Sequence, residues 1–180
     1  MTKPPRQFFA PLASGAPEPI RELPVRLERT IHFVPAHNEK LRSRVGDMAK
    51  QLARRSLKLE GMSLQPTFYN GVKNMTALVL RQIKGALDAY AGRDSAAAIE
   101  VCNRDDEVDA MHTSLFRELL TYMMEDPRNI TPCTHLLFCA KSLERIGDHA
   151  TNIAERAYYL QTGKQLTSEV QELQRTQIKA

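Results

Sequence analysis

The chain has 180 residues, of which 42% are hydrophobic and 6% aromatic, with no Trp and a net charge of +4. This length and apolar content suit one domain with a packed core and exclude wholesale disorder. Cys102, Cys133 and Cys139 are odd in number and lack CxxC spacing, which excludes a disulfide framework and a cysteine zinc site. No apolar run approaches the roughly 20 residues that cross a bilayer, so we expect a soluble, cytoplasmic protein.

The positive charge is concentrated in the first third of the chain. Residues 1–60 contain twelve Lys and Arg against six Asp and Glu, whereas the remainder is slightly acidic. Such a region could contact nucleic acid, anionic lipid or an acidic partner. A solvated helix face with a basic tail is the simpler explanation, because interleaved aromatic residues and a recognition helix are missing. We therefore expect no nucleic-acid partner.

Proline and glycine divide the chain into segments. Seven of the ten prolines fall within the first 35 residues, which prevents a long helix there. Gly61 ends the first helical pattern, and Pro66 with Asn70-Gly71 are the expected breakers of a linker. The predicted segments are a Pro-rich extended or disordered leader (1–35), a single helix (36–61), a linker (62–71), a three-helix unit (72–164) and a polar C-terminal tail (165–180).

Helical spacing dominates the second half of the chain. The first helix of the three-helix unit has a mostly apolar stripe at helical spacing and ends at Gly92-Arg93-Asp94. Asp94 is the predicted N-cap of the next helix. The second is predicted as one helix from Ser95 to Glu125. The third is predicted from Thr131, as N-cap, to Gly163. Short connections predict an all-α antiparallel three-helix bundle without strands. The stripe of the first helix comprises Met75, Leu78, Val79, Gln82, Ile83, Ala86 and Tyr90.

Two segments of the chain resemble each other. Residues 44–55 and 145–156 are offset by 101 positions, and Arg, Gly, Asp, Ala, Ala and Arg recur in register. The helix at 36–61 is therefore interpreted as the last helix of an earlier repeat. Two further helices should precede it, and 35 Pro-rich residues cannot supply them. This single helix must bury its apolar side on the bundle or on another subunit.

Paired carboxylates interrupt the apolar faces of the second and third predicted helices. Asp105 and Asp109 share one face of the second helix, and Glu144 and Asp148 share one face of the third. The two helices form a hairpin about residues 127–129. In such a hairpin, residues whose numbers sum to about 256 lie at the same height. This register predicts that the four carboxylates converge from facing helices.

Four clustered negative charges are costly to bury unless they are protonated or neutralised by a cation. Their hard oxygen atoms favour Fe, Mn, Mg or, less strongly, Zn. Spacing alone leaves open the alternative that the carboxylates face water or pair with Arg104 and Arg145. We interpret His112, on the same face, as a core or rim residue. Because no Gly-rich phosphate loop, nucleophile–base pair or HExxH motif is recognisable, no enzyme activity is expected.

Several motifs resemble those of the PhoU family, closely from about Val72 to Gly163 and more weakly over Asn38–Gly61. The resemblance implies two tandem three-helix bundles whose E/DxxxD motifs bind multinuclear iron or zinc clusters. Asp105–Asp109 and Glu144–Asp148 match the motifs of the second repeat. The matching runs are Arg104–Asp109, Ser114–Arg128, Thr134–Phe138 and Glu144–Glu155.

The resemblance also implies a function. PhoU-like proteins are cytoplasmic accessories of the phosphate-specific ABC transporter and negative regulators of the phosphate-starvation response. They bridge the transporter ATPase and a sensor histidine kinase, often as dimers. This chain departs from the family at Ser43, which occupies the place of an acidic residue. We expect a PhoU-like regulator of phosphate uptake and signalling, with a carboxylate-rich metal-binding module without a signalling role as the alternative.

Overall fold

The computed structural model describes residues 39–60, 62 and 66–167. The predicted leader 1–35 and most of the predicted tail 165–180 lie outside these residues. Within them the chain is helical and contains no strand, so the predicted all-α class is confirmed. The elements are α1 (Glu39–Lys58), α2 (Pro66–Gly92), α3 (Ser95–Asn103), α4 (Asp105–Glu125), a 3-10 turn (Pro127–Asn129) and α5 (Ile130–Thr162). None of these helices is both long and apolar enough to span a bilayer.

Helices α2, α4 and α5 form the predicted antiparallel bundle, with α5 at its centre. α5 packs against every other α-helix. The buried side chains form one continuous apolar core, in which each fully buried large side chain contributes about 1.5–3 kcal/mol of transfer free energy. The largest of them include Met75 and Val79 of α2, Leu115 and Leu119 of α4, and Leu136, Leu143 and Ile146 of α5.

The prediction of one continuous helix from Ser95 to Glu125 is wrong. α3 ends at Asn103, and α4 begins after Arg104, whose backbone angles are φ −85° and ψ −4°. The cause lies in the three acidic residues at 105–107, which form the first turn of α4. Acidic side chains are stabilised at a helix N-terminus by the helix dipole, and Asp is also less favourable than most residues inside a helix. The break therefore places Asp105 at the first position of a new helix.

The predicted linker at 62–71 is also partly wrong, because α2 already begins at Pro66. Proline is well tolerated in the first turn of a helix, where its missing N–H group has no partner to lose. Phe68 is 3% exposed, and its burial carries the helix across Asn70-Gly71. A Cβ atom on Gly71 would lie 2.5 Å from Leu115 Cδ1. Gly71 therefore permits close packing of α2 on α4 instead of breaking the helix.

The start of the last helix differs slightly from the prediction. α5 begins at Ile130, so Thr131 lies inside its first turn and is not the N-cap. The reversal of the chain depends instead on Asp126, whose carboxylate accepts a hydrogen bond from the Arg128 backbone at 2.9 Å and begins the 3-10 turn. The predicted boundaries are confirmed at Asp94, which accepts hydrogen bonds from the amides of Ala96 and Ala97, and at Gly163, which has a left-handed φ of 69°.

Helix α1 packs on α5, which confirms that it buries its apolar side on the bundle. The Arg55 guanidinium lies over the Phe138 ring, 4.0 Å from its centroid. At the other end, burial together with the charges of Arg44 and Arg145 lowers the pKa of His149. These neighbours show that the two helices run antiparallel.

The two repeated segments are also buried alike. The apolar positions of 44–55 and their counterparts in 145–156 face the core, whereas Asp47 and Asp148 are both exposed. α1 therefore has the same packing pattern as the equivalent part of α5. The buried pairs are Val45 and Ile146, Ala49 and Ala150, Leu52 and Ile153, and Ala53 and Ala154.

Candidate metal centre

The four predicted carboxylates come from the start of α4 and the middle of α5. Asp105 is the first residue of α4, and Asp109 lies one turn further along. Glu144 and Asp148 lie one turn apart on α5. The helix break before Asp105 orients the first turn of α4, and the short 3-10 turn sets the register between the two helices. The structure therefore brings these two pairs to the same level of the hairpin.

The electrostatics show that the carboxylates share one environment. Partial burial raises the pKa of Asp109, and the negative charges of Asp105, Glu144 and Asp106 raise it further, in that order. The electrostatic effect of His112 opposes this shift and lowers the pKa of Asp109. His112 itself is half-buried and lines a cavity of about 300 Å³ beside Phe116 and Phe138, as expected of a rim residue.

Asp148 has the same kind of environment on the facing helix. Partial burial raises the pKa of its carboxyl, followed by the charges of Glu144, Asp105 and Asp109, while Lys141 opposes the shift. Each of the two carboxyls therefore experiences negative charge from both helices. Such mutual repulsion is relieved when a proton or a cation is bound.

Glu144 is the most buried of the acidic side chains for which an ion pair is observed. Its side chain is 15% exposed, and its Oε1 atom accepts from Lys141 Nζ at 2.6 Å. Its Oε2 atom is buried without a hydrogen-bond partner. A buried unsatisfied acceptor costs about 1–3 kcal/mol, and more when it is charged. A hydrogen-bond donor or a cation would satisfy this oxygen.

The alternative that the carboxylates face water holds in part, since Asp109 and Asp148 are exposed whereas Asp105 and Glu144 are half-buried. The alternative of pairing with Arg104 and Arg145 is not observed. Arg104 forms an ion pair with Glu100 on its own side of the break. Among the ion pairs of the described helices, none joins Arg104 or Arg145 to the four carboxylates.

Gln82 of α2 is a member of this site that we did not predict. It is 4% exposed, and its Nε2 atom donates to Asp105 Oδ1 at 2.9 Å and to Thr151 Oγ1 at 3.2 Å. Its Oε1 atom is buried without a partner and lies 3.0 Å from the position of a Cβ atom on Gly147. The sequence did contain a signal for Gln82, because it is the only amide side chain in the apolar stripe of the first helix of the three-helix unit.

The residues fit a hard cation in donor type. Carboxylate oxygens from facing helices of a bundle are the donor set of such sites, and the buried Glu144 Oε2 atom has no hydrogen-bond partner. Across the described part of the chain, no three His, Cys, Asp or Glu side chains are already drawn together at ligand spacing. Binding would therefore require the side chains to change rotamer while the helices stay in place.

The repeat-equivalent position on α1 offers no such site. Ser43 replaces the acidic residue that corresponds to Glu144. Asp47, which corresponds to Asp148, lies 3.5 Å from Lys50, with 63% of its side chain exposed. One exposed carboxylate beside a lysine lacks the converging oxygens of the α4–α5 site.

In metal-free protein, Asp148→Asn is expected to be slightly stabilising. The folded state raises the pKa of Asp148 above its ordinary value of 3.8, so the folded protein holds more protons between those two values. Stability therefore falls as pH rises through this window. Because the group is partly exposed, the gain at neutral pH should not exceed about 0.5 kcal/mol. Urea unfolding with chelator at pH 7, and again at a pH well below 3.8, measures it.

The gain should vanish at the acidic pH, where the carboxyl is protonated in both states. Asp47→Asn is the matched control, because its carboxylate lies 3.5 Å from the ammonium group of Lys50. A loss of stability in Asp148→Asn at neutral pH would show that the cluster is not repulsive.

Comparison with known proteins tests the resemblance to the PhoU family. A family model described as "PhoU domain" matches residues 72–157. The "Phosphate-specific transport system accessory protein PhoU homolog" of Rhizobium meliloti is 57% identical over 122 residues, which cover 68% of this chain and 52% of that protein. The protein of the same name from Caulobacter vibrioides is 52% identical over 126 residues, covering 70% and 55%. This chain thus spans about half the length of these curated relatives.

Solved structures indicate the same family. The crystal structure of PhoU from Pseudomonas aeruginosa matches with a TM-score of 0.66 and 34% identity, over 81% of this chain and 80% of that chain. The phosphate transport system regulatory protein PhoU from Streptococcus pneumoniae matches with a TM-score of 0.63 and 27% identity, covering 71% and 60%. The expected resemblance is confirmed, and the chain belongs to the PhoU family.

Proposed function

We propose that this chain is a cytoplasmic accessory protein of phosphate-specific transport that negatively regulates phosphate uptake and phosphate-starvation signalling. The observation that carries this proposal is the 57% identity to a protein named as such an accessory. The family match over residues 72–157 contains all four carboxylates of the α4–α5 site. Its partners would be the ATPase of the phosphate ABC transporter and a sensor histidine kinase, with the chain acting as a homodimer.

The metal centre is part of the same proposal. Asp105, Asp109, Glu144 and Asp148 would hold iron or zinc, with magnesium or manganese as alternatives suited to oxygen ligands. When bound, the cation supplies positive charge that offsets the repulsion between the carboxylates. The chain's own contribution is to hold two acidic pairs on antiparallel helices, so that occupancy ties α4 to α5. We propose a binding role of this kind and not an enzymatic one.

The partner test uses the purified full-length chain. We expect it to bind the transporter ATPase, or the cytoplasmic part of the sensor kinase, in a pull-down with an unrelated ATPase as control. Deleting the gene should raise expression of a phosphate-starvation reporter in phosphate-rich medium. If neither partner is retained and the reporter is unchanged, the regulatory role is wrong.

The second candidate is a metal-binding module without a signalling role. It is favoured by one observation, namely that acidic pairs of α4 and α5 lie close enough to raise each other's pKa, with the buried Glu144 Oε2 atom lacking a hydrogen-bond partner. This candidate predicts bound iron or zinc with no retained partner. The pull-down and a metal analysis of the same preparation therefore separate the two functions.

A further inference from the structure

Gln82 connects the carboxylate cluster to a third helix. It lies in α2, is 4% exposed, and donates from Nε2 to Asp105 Oδ1 at 2.9 Å. We infer that Gln82 is a positioning residue that holds the Asp105 carboxylate in the cluster, and that the absence of a side chain at Gly147 allows it to do so. This inference rests on the proposed metal centre.

Asp105 needs such a partner because of its place in the fold. It is the first residue of α4, directly after the break at Arg104. The carboxylate of Asp109, one turn further along α4, and that of Asp148 on α5 lie near it, and like charges repel. Without an opposing contact, the Asp105 side chain would turn towards solvent. The hydrogen bond from a buried amide provides that contact.

A neutral donor suits this task better than a cationic one. Lys141 already places one positive charge on Glu144, and a second cationic side chain on Asp105 would neutralise a further carboxylate and compete with a bound cation. The Gln82 amide uses one lone pair of Asp105 Oδ1 and leaves the negative charge and the remaining lone pairs available. Outer partners of this kind orient metal-binding carboxylates and contribute to affinity without touching the ion.

The orientation of the amide is determined by its surroundings. The two hydrogens of Nε2 serve Asp105 Oδ1 and Thr151 Oγ1, and Thr151 in turn donates to the Gly147 carbonyl at 3.3 Å. The flipped amide would place its oxygen against a carboxylate, which is repulsive. Oε1 therefore points away from Asp105 and lies against the bare Cα of Gly147.

The Gln82 side chain packs so closely on Gly147 that a larger residue there would displace it. A Cβ atom there would lie 3.0 Å from Gln82 Oε1 and 3.3 Å from Val108 Cγ1. Gly46 is the repeat-equivalent residue on α1, and a Cβ atom there would meet nothing within 4 Å. The crowding is therefore specific to the helix that faces Gln82.

The first test uses Mn²⁺ as the probe and the loss of its free EPR signal as the readout. Gln82→Met keeps the length of the side chain and removes the donor. It should weaken Mn²⁺ binding by about 10- to 100-fold, the usual effect of losing an outer partner. Gly147→Ala should weaken binding in the same direction. Thr76→Val and Gly46→Ala are the controls and should bind like the parent, because Thr76 is buried on α2 but bonds only within its own helix, to Val72 O.

The second test needs no metal. The side-chain amide resonance of Gln82 should shift in ¹⁵N NMR spectra when Asp105 is changed to Asn, and should shift much less in Asp47→Asn. An unresponsive amide, or parent-like Mn²⁺ affinity in a folded Gln82→Met variant, would overturn the inference. If the parent protein binds no Mn²⁺, Fe²⁺ or Zn²⁺, the proposed centre fails, and the amide resonance still decides whether Gln82 holds Asp105.

Discussion

Replacing Asp109 and Asp148 together by Asn should abolish metal binding while the bundle stays folded. Negative charges from both helices raise the pKa of each of these two carboxyls. The double substitution therefore removes one oxygen donor group from each helix of the site. Parent protein at a metal concentration of 100 times Kd should gain about 2.7 kcal/mol of stability, and the double variant should gain none. Elemental analysis after metal-free purification and reloading, together with thermal unfolding, measures both effects.

The control for this variant is the residue that corresponds to Asp148 in the repeated segment 44–55. Asp47→Asn removes the carboxylate equivalent to Asp148, but Asp47 lies beside Lys50 whereas Asp148 lies near Glu144, Asp105 and Asp109. This control should retain the metal content of the parent. The double variant should also be at least as stable as the parent in chelator, because it loses repulsion and no hydrogen bond. Equal metal content in the double variant and the parent would place the ion elsewhere.

The bundle was predictable because its signals are local. Helical spacing, Asp94 as a cap and Gly163 as a terminator each act within a few residues. The errors arose where packing outweighs local preference. Gly71 was expected to break a helix, yet it allows α2 to approach Leu115. The break at Arg104 does have a local signal in the acidic turn that follows it, but the continuous helical spacing on both sides concealed it.

The carboxylate cluster was predictable for a related reason. A hairpin of two helices has one register, so the positions of Asp109 and Asp148 along the chain determine their relative height. Gln82 was not predictable in this way, because its two partners lie 23 and 69 residues away. Such contacts depend on how α2 is rotated against the hairpin, which a single sequence does not specify.

Leu52→Ala should cost about 2–4 kcal/mol of unfolding free energy, the usual range for a large side chain deleted from a core. Leu52 is 1% exposed and lies on the face of α1 that packs on α5. The shorter side chain leaves a cavity at the only extensive contact that α1 makes within the described residues. Urea unfolding followed by circular dichroism measures the loss.

Hydrogen exchange in this variant would show whether α1 unfolds together with the bundle. Because Leu52 is part of the same continuous core as Leu143 and Ile146, α1 and α5 should lose hydrogen-exchange protection together, as one cooperative unit. Gln51→Ala, on the exposed face of α1, is the matched control and should change stability by less than about 0.5 kcal/mol. Rapid exchange confined to α1, with a bundle as stable as the parent, would show that α1 is a separate element. In that case the bundle, and the metal centre within it, would not need the remnant of the first repeat.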